Sequence, residues 1–218
     1  KKEYDFSTVV IEENDLCFIG VPSFAGRVPI NMMERLHKMQ VNGGKAILVV
    51  SYGNREIDDT LLELKEEVKA RGFTPVAAIS AVAEHSMVRK YGANRPDEED
   101  AVQLKDFSQQ LKEKIEANDI PTELELPGKF PYKEFKGIPL KPKSNKDCVA
   151  CGFCASVCPV GAIPKEEPSK TNEEVCMTCM RCVAVCPKQA RSLNKAMVFA
   201  LSQRLKGPCE VRKENELF

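Results

Sequence analysis

The chain has 218 residues, 43 % hydrophobic and 29 % charged, with 32 Lys and Arg against 32 Asp and Glu and therefore no net charge. That length suits one ordinary domain plus a small one. The balanced charge excludes a basic nucleic-acid surface, and no apolar run is long enough to span a bilayer. The opening stretch KKEYDFSTVV has no apolar core of a signal peptide, so the reading is a soluble, cytoplasmic protein.

In chain order, residues Lys1 to Asn14 are polar and weakly patterned. Leu16, Cys17, Phe18 and Ile19, followed by Gly20 and Pro22, predict a buried strand ending in a loop. Cys17 reads as a small core residue. Ile30, Met33, Leu36 and Met39 recur at helical spacing, predicting a helix from Ile30 to Val41 that Gly43 and Gly44 stop. KAILVVS, Lys45 to Ser51, predicts a second buried strand. A second helix runs from about Asp58 to Ala70 on Leu61, Leu62, Leu64 and Val68, with acids at its start and bases at its end. Phe73 to Val82 supplies a third strand. Alternating apolar strands and helices with short connections predict an α/β fold, a parallel sheet covered on both faces. Ligands of such sheets lie at the carboxyl ends of the strands, which singles out Val21 to Pro29, Tyr52 to Ile57 and Ala83 to His85.

Asp97 caps a long amphipathic helix reaching about Ala117. From Pro121 to Lys143 five prolines and two glycines mark an extended linker. Its Phe130, Tyr132 and Phe135 are expected to bury against a neighbouring domain. Beyond Ser192 the chain looks helical, and Cys209 stands alone as a structural residue.

Eight of the ten cysteines form two quartets: Cys148, Cys151, Cys154, Cys158 and Cys176, Cys179, Cys182, Cys186. Each quartet has the same spacing and ends in a proline, Pro159 or Pro187. This is the run of bacterial two-cluster ferredoxins, in which the fourth cysteine of each quartet ligates the other cluster. On that reading Cys148, Cys151, Cys154 and Cys186 hold one [4Fe-4S] cluster, and Cys176, Cys179, Cys182 and Cys158 the other. Zinc fits the third cysteine of each copy poorly, and disulfides do not suit a reducing compartment. From Lys143 onward there are twelve Lys and Arg against eight Asp and Glu, a net +4; the remaining twenty against twenty-four give −4. Two anionic clusters of roughly −2 each would about cancel the C-terminal excess.

Beyond the quartets, GVPSFAGRVP, SYGNREIDD, AEHSM, GANRPDEED and FPYKEFKGIP make the chain resemble a flavodoxin-like domain fused to a bacterial-type dicluster ferredoxin. The resemblance implies a flavodoxin-like domain over residues 1–120, a linker over 121–143, and a small α+β ferredoxin domain with a C-terminal helix over 144–218. It also implies FMN held by Pro22, Ser23, Phe24, Ala25, Gly26 and Arg27 after one strand and Tyr52, Gly53 and Asn54 after the next, with Phe24 and Tyr52 flanking the ring. The family begins with a strand and a hydroxyl-rich phosphate loop that this sequence does not contain. The expected missing N-terminal segment would leave an apolar sheet edge, to be covered by a complementing segment or by a second copy of the chain. The function implied is electron transfer between the clusters, FMN and redox partner proteins, a carrier more than a substrate-specific oxidoreductase. One alternative is a flavin-dependent reductase with His85 as proton donor; another is a flavin-free docking domain that carries a ferredoxin.

Overall fold

The computed structural model describes residues 4–218; residues 1–3, where the first predicted domain begins, lie outside the described residues. Two compact units emerge. One comprises Asp5–His85, Arg89–Phe135 and Gly207–Phe218, and the other Lys136–Lys206 with Ser86–Val88 and Tyr4.

The first unit is built on a parallel sheet. A short strand β1 (Val10–Ile11) precedes the first long one, β2 (Leu16–Pro22), and helix α1 follows (Ile30–Lys38). Strand β3 (Gln40–Val41) pairs with β1 in a separate two-stranded sheet. The end of the predicted first helix is therefore extended, because Met39 leaves the helical region with ψ 147°. Strand β4 (Lys45–Tyr52), helix α2 (Thr60–Ala70), strand β5 (Thr74–Val82) and helix α3 (Glu98–Glu116) complete the alternation. β2, β4 and β5 lie parallel and adjacent, with Leu16 opposite Lys45 and Val50 opposite Ser80.

Alternation along β4 sends side chains to both faces. Ala46, Leu48 and Val50 meet Leu36 of α1 and Leu61, Leu64 and Val68 of α2. Ile47 turns the other way and joins Ala77 and Ile79 of β5 with Phe107 and Leu111 of α3. Both faces are thus covered, as continuous apolar strands require. β2 pairs with β4 alone among the described residues, and its outward Leu16 and Phe18 are 42 % and 65 % exposed.

The Pro-rich segment is anchored differently from the expectation. Phe130 and Phe135 are exposed. The buried carboxylate of Asp59 instead accepts the backbone N–H groups of Lys129 at 3.0 Å and Lys133 at 2.6 Å. Lys65 reaches Glu123 at 2.9 Å and the carbonyl of Leu124 at 3.1 Å. Two orphaned amides near a buried site cost about 1–3 kcal/mol. Asp59→Ala is accordingly expected to lower the stability of this unit by that amount and to open residues 129–135 to proteolysis; chemical denaturation and the sites of limited cleavage check it.

The second unit contains strand β6 (Lys143–Ser144), helices α4 (Phe153–Ser156) and α5 (Arg181–Ala184), and strand β7 (Arg191–Ser192), which pairs antiparallel with β6. Helix α6 (Lys195–Glu210) follows. The chain after it is not part of the second unit. Strand β8 (Glu216–Leu217) becomes the fourth strand of the first unit's sheet, antiparallel to β5, with Phe218 exchanging both backbone hydrogen bonds with Ala78.

That return is clasped by three side chains. Asn54 donates to the carbonyls of Cys209 and Val211 and accepts from the Lys213 N–H. Arg95 donates to the Lys213 carbonyl, and Asn215 accepts from the Val82 N–H. The module of residues 136–206 is thus an insertion in the sequence of the sheet unit.

Candidate iron–sulfur centre

The two quartets fold alike. Ala150 and Thr178 occupy matching places and both have positive φ, 51° and 59°. Gly152 and Met180 follow at 74° and 62° and start the four-residue helices α4 and α5. Gly161 and Gln189 repeat the left-handed turn after the fourth cysteines, at 69° and 49°. Non-glycine residues adopt this region rarely and at some cost. Its repetition at Ala150, Thr178, Met180 and Gln189 shows that the loop path, not local preference, is what the fold enforces. The path wraps the first loop around a hollow and in both loops points backbone N–H groups at sulfur: Ala162 N–H lies 3.2 Å from Cys158 Sγ and Ala190 N–H 3.3 Å from Cys186 Sγ.

Cys148, Cys151, Cys154 and Cys186 line one hollow, together with Pro187, Lys188 and Arg191. Three of these thiols come from the first quartet and one from the second. Cys154 and Cys158 are buried, and Cys176 and Cys182 pack against them. Burial pushes the Cys179 thiol up, and the neighbouring Cys158 and Cys176 add to the effect. Burial likewise pushes Cys182 up to about 11, with Arg191 pulling the other way. Cys186 is the exception: burial raises it, but N–H groups of Ala190, Lys188 and Arg191 outweigh burial and leave it lowered.

The half-buried thiols of Cys179 and Cys182, which resist ionisation, are a costly place for charge unless a metal takes the proton's place. Soft sulfur donors and inward N–H groups are the donor set of iron–sulfur chemistry. The residues present therefore fit a [4Fe-4S] group. Among the described residues no three His, Cys, Asp or Glu side chains are gathered to hold a single ion.

The two loops differ in their cover. Thr178 is buried, and its hydroxyl donates to the Leu140 carbonyl at 2.8 Å. Lys141 donates to the Cys176 carbonyl. The segment before β6 therefore closes over the second loop. The first loop lacks such a cover, and Val149, Cys151 and Phe153 are exposed.

The loops expected to hold FMN are engaged otherwise. Ser23 Oγ lies 2.8 Å from Thr60 Oγ1. Arg27 forks onto Glu63, donates to the Lys133 carbonyl at 2.6 Å and stacks its guanidinium 5.1 Å from the centre of the Tyr132 ring. A Cβ on Gly26 would collide with the Asp58 carboxylate, and one on Gly53 would lie 2.7 Å from the His85 Cα. The open sides of both glycines are therefore filled by protein. Asn54 is buried in the clasp on the C-terminal segment. Tyr52 is also buried, and its hydroxyl is pushed up to about 12 by burial first and by Glu216 second. Pro22 and Phe24 are half-buried and Ala25 is exposed.

Burial lowers the pKa of His85, which favours the neutral ring, and its neighbour Glu84 is paired with Arg89.

Compared with known families, residues 147–190 match the model of a 4Fe-4S dicluster domain. This part of the chain is a ferredoxin-type module, of the class that holds 4Fe-4S clusters and transfers electrons. Compared with curated proteins, the chain has no match. Sequence reasoning missed Arg191, whose burial beside the thiols is described below. The signal was present in the repeat, where CPVGAI and CPKQAR set Ile163 against Arg191.

Proposed function

We propose that the chain is an electron carrier whose module of residues 136–206 holds two [4Fe-4S] clusters, and whose sheet unit docks a redox enzyme rather than binding FMN. Cys148, Cys151, Cys154 and Cys186 hold one cluster; Cys158, Cys176, Cys179 and Cys182 hold the other. The observation that carries this reading is the hollow lined by three thiols of one quartet and the last thiol of the other, the crossed arrangement that ties such a module together. The clusters would supply one-electron chemistry at low potential. The chain's own contribution is to exclude water from Cys154 and Cys158, to donate N–H groups to sulfur, and to leave Cys151 at the surface where a partner approaches.

The likeness to flavodoxin-like proteins enters this reading only as an order of strands and helices. A reducing, cytoplasmic setting suits cysteines that form no disulfide among the described residues. No described helix is long and apolar enough to cross a membrane.

Anaerobically purified protein is expected to contain about eight irons and about eight sulfides per chain, as two four-iron clusters require, and no flavin in the acid supernatant. Cys151→Ser and Cys186→Ser should leave the same residual cluster signal in electron paramagnetic resonance, and Cys158→Ser a different one. About four irons, or zinc in their place, would reject the two-cluster reading. Stoichiometric flavin would restore the flavin relay.

A further inference from the structure

Arg191 is the largest of the fully buried side chains, at 2 % exposure. Its charge meets no carboxylate among the described residues. One terminal nitrogen donates to Thr171 Oγ1 at 2.8 Å, and the other to the carbonyls of Pro168 and Lys170 at 2.7 and 2.8 Å. Nε is buried with no partner at all. Guanidinium cannot shed its proton at any ordinary pH. An isolated buried cation is among the most unfavourable features a fold can carry. Something anionic is therefore due beside it.

The surroundings say where. Arg191 lines the hollow of Cys148, Cys151, Cys154 and Cys186. At the matching place in the first quartet stands Ile163, also buried, packed in the cluster of side chains that contains Cys154 as well as Cys158, Cys176 and Cys182. The position that carries a fixed positive charge in one repeat carries a hydrocarbon in the other; that charge lines the first hollow and also pulls on the Cys182 thiol. The repeat is symmetric in its backbone and asymmetric in its electrostatics.

We propose that Arg191 is the internal counter-charge of the module: it offsets the anionic cluster held by Cys148, Cys151, Cys154 and Cys186, directs Nε–H toward it, and raises its reduction potential above that of its partner. Adding an electron makes a cluster more negative, so a buried cation favours the reduced form. The first site then becomes the resting place of a single electron, and its exposed Cys151 the side from which that electron leaves. The inference rests on the two-cluster reading above.

The test is a redox titration of the full-length holoprotein with dithionite, followed by electron paramagnetic resonance, for wild type, Arg191→Lys, Arg191→Gln and Arg191→Met. Wild type is expected to show two separable one-electron steps, with Arg191→Lys close to it. In Arg191→Gln and Arg191→Met the higher step moves down toward the lower. At the wild-type midpoint the reduced-to-oxidised ratio of that site falls roughly tenfold, which is about 59 mV for a one-electron couple. Unchanged potentials in fully loaded neutral variants, or equal shifts in Arg191→Lys and Arg191→Gln, would overturn the proposal and make Arg191 only a clamp on residues 168–171. If the neutral variants fail to load iron, the iron count decides. Retention by Arg191→Lys alone supports a need for charge, whereas its loss there too rejects it. Failure of wild type to hold about eight irons would instead defeat the two-cluster reading itself.

Discussion

Stripping iron from the holoprotein is expected to unfold residues 136–206 while the parallel-sheet unit stays folded. The reason lies in what each unit buries. The module's apolar cluster consists of Cys154, Ala155, Cys158, Ala162 and Ile163, with Val160, Cys176 and Cys182 beside it. Two of its helices have four residues each, and its strands two. So small a core does not offset the entropy of ordering about seventy residues. Four left-handed non-glycine residues in the cysteine loops and a buried, unpaired Arg191 add further cost once the clusters are gone. In modules of this kind metal binding is itself the folding free energy. The sheet unit, by contrast, buries Leu48, Val50, Leu61, Leu64 and Val68 on one face and Ile47, Phe107 and Leu111 on the other without using a quartet cysteine. Amide hydrogen exchange before and after anaerobic chelation reads both at once. Protection at Val157, Val183 and Ala190 should vanish, and protection along β4 and β5 should persist. Retained protection in the loops would show that the chain folds them without metal.

What the sequence revealed follows from how local each signal is. The quartets were legible because a four-iron cube dictates the spacing of its ligands along one short segment. Strands β4 and β5 and helices α2 and α3 were legible because burial leaves unbroken apolar runs such as KAILVVS and stripes such as Leu61, Leu64, Val68, whereas β2, read as buried, is a strand whose outward Leu16 and Phe18 are exposed. β8 was not. ENELF is short and charged, and it becomes a strand only because Ala78 offers free backbone groups and Asn54, Arg95 and Asn215 hold the approach to it. Those partners lie more than a hundred residues away in the chain.

The same distance problem bears on the loops after β2 and β4. Gly26, Gly53 and Asn54 look like residues that would open a path to a ligand, because glycine and asparagine do so in many turns. Here Asp58, His85 and the C-terminal segment fill those paths. Likewise Phe130 and Phe135 promised an apolar anchor for the Pro-rich segment, while the anchor is a carboxylate, Asp59, at the start of α2. Residue type set the possibilities in each case, and packing chose among them.

Asp100→Ala is expected to destabilise the sheet unit by about 3–5 kcal/mol, the range for removing one partner of a buried ion pair. The Asp100 side chain is 0 % exposed and that of Arg95 3 %. The carboxylate is held by the Arg95 fork, by the Asp97 N–H at 2.8 Å in the capping box of α3, and by the Asn215 amide at 2.9 Å. One side chain thus joins the start of α3 to the clasp on β8, and its loss leaves a buried guanidinium with only the Asp97 carboxylate, 4.0 Å away, as counter-charge. Hydrogen bonding from Arg95, aided by Asp97 and Asn215 and opposed by burial, holds the Asp100 carboxyl well below the ordinary range. A carboxyl lowered in the folded state contributes stability that is complete above its unfolded pKa, about 3.9, and is lost as pH falls toward its folded value. The gap between wild type and Asp100→Asn should therefore be constant from about pH 5 to pH 8 and narrow below about pH 4. Urea titrations of the holoprotein at pH 7, 5 and 3, followed by a probe in β4, measure it. A gap that stays constant through pH 3 would show that the carboxylate's charge does not carry the effect. Arg95→Met combined with Asp100→Leu removes both charges and leaves no unpaired buried charge, so the double variant should recover part of what either single change loses.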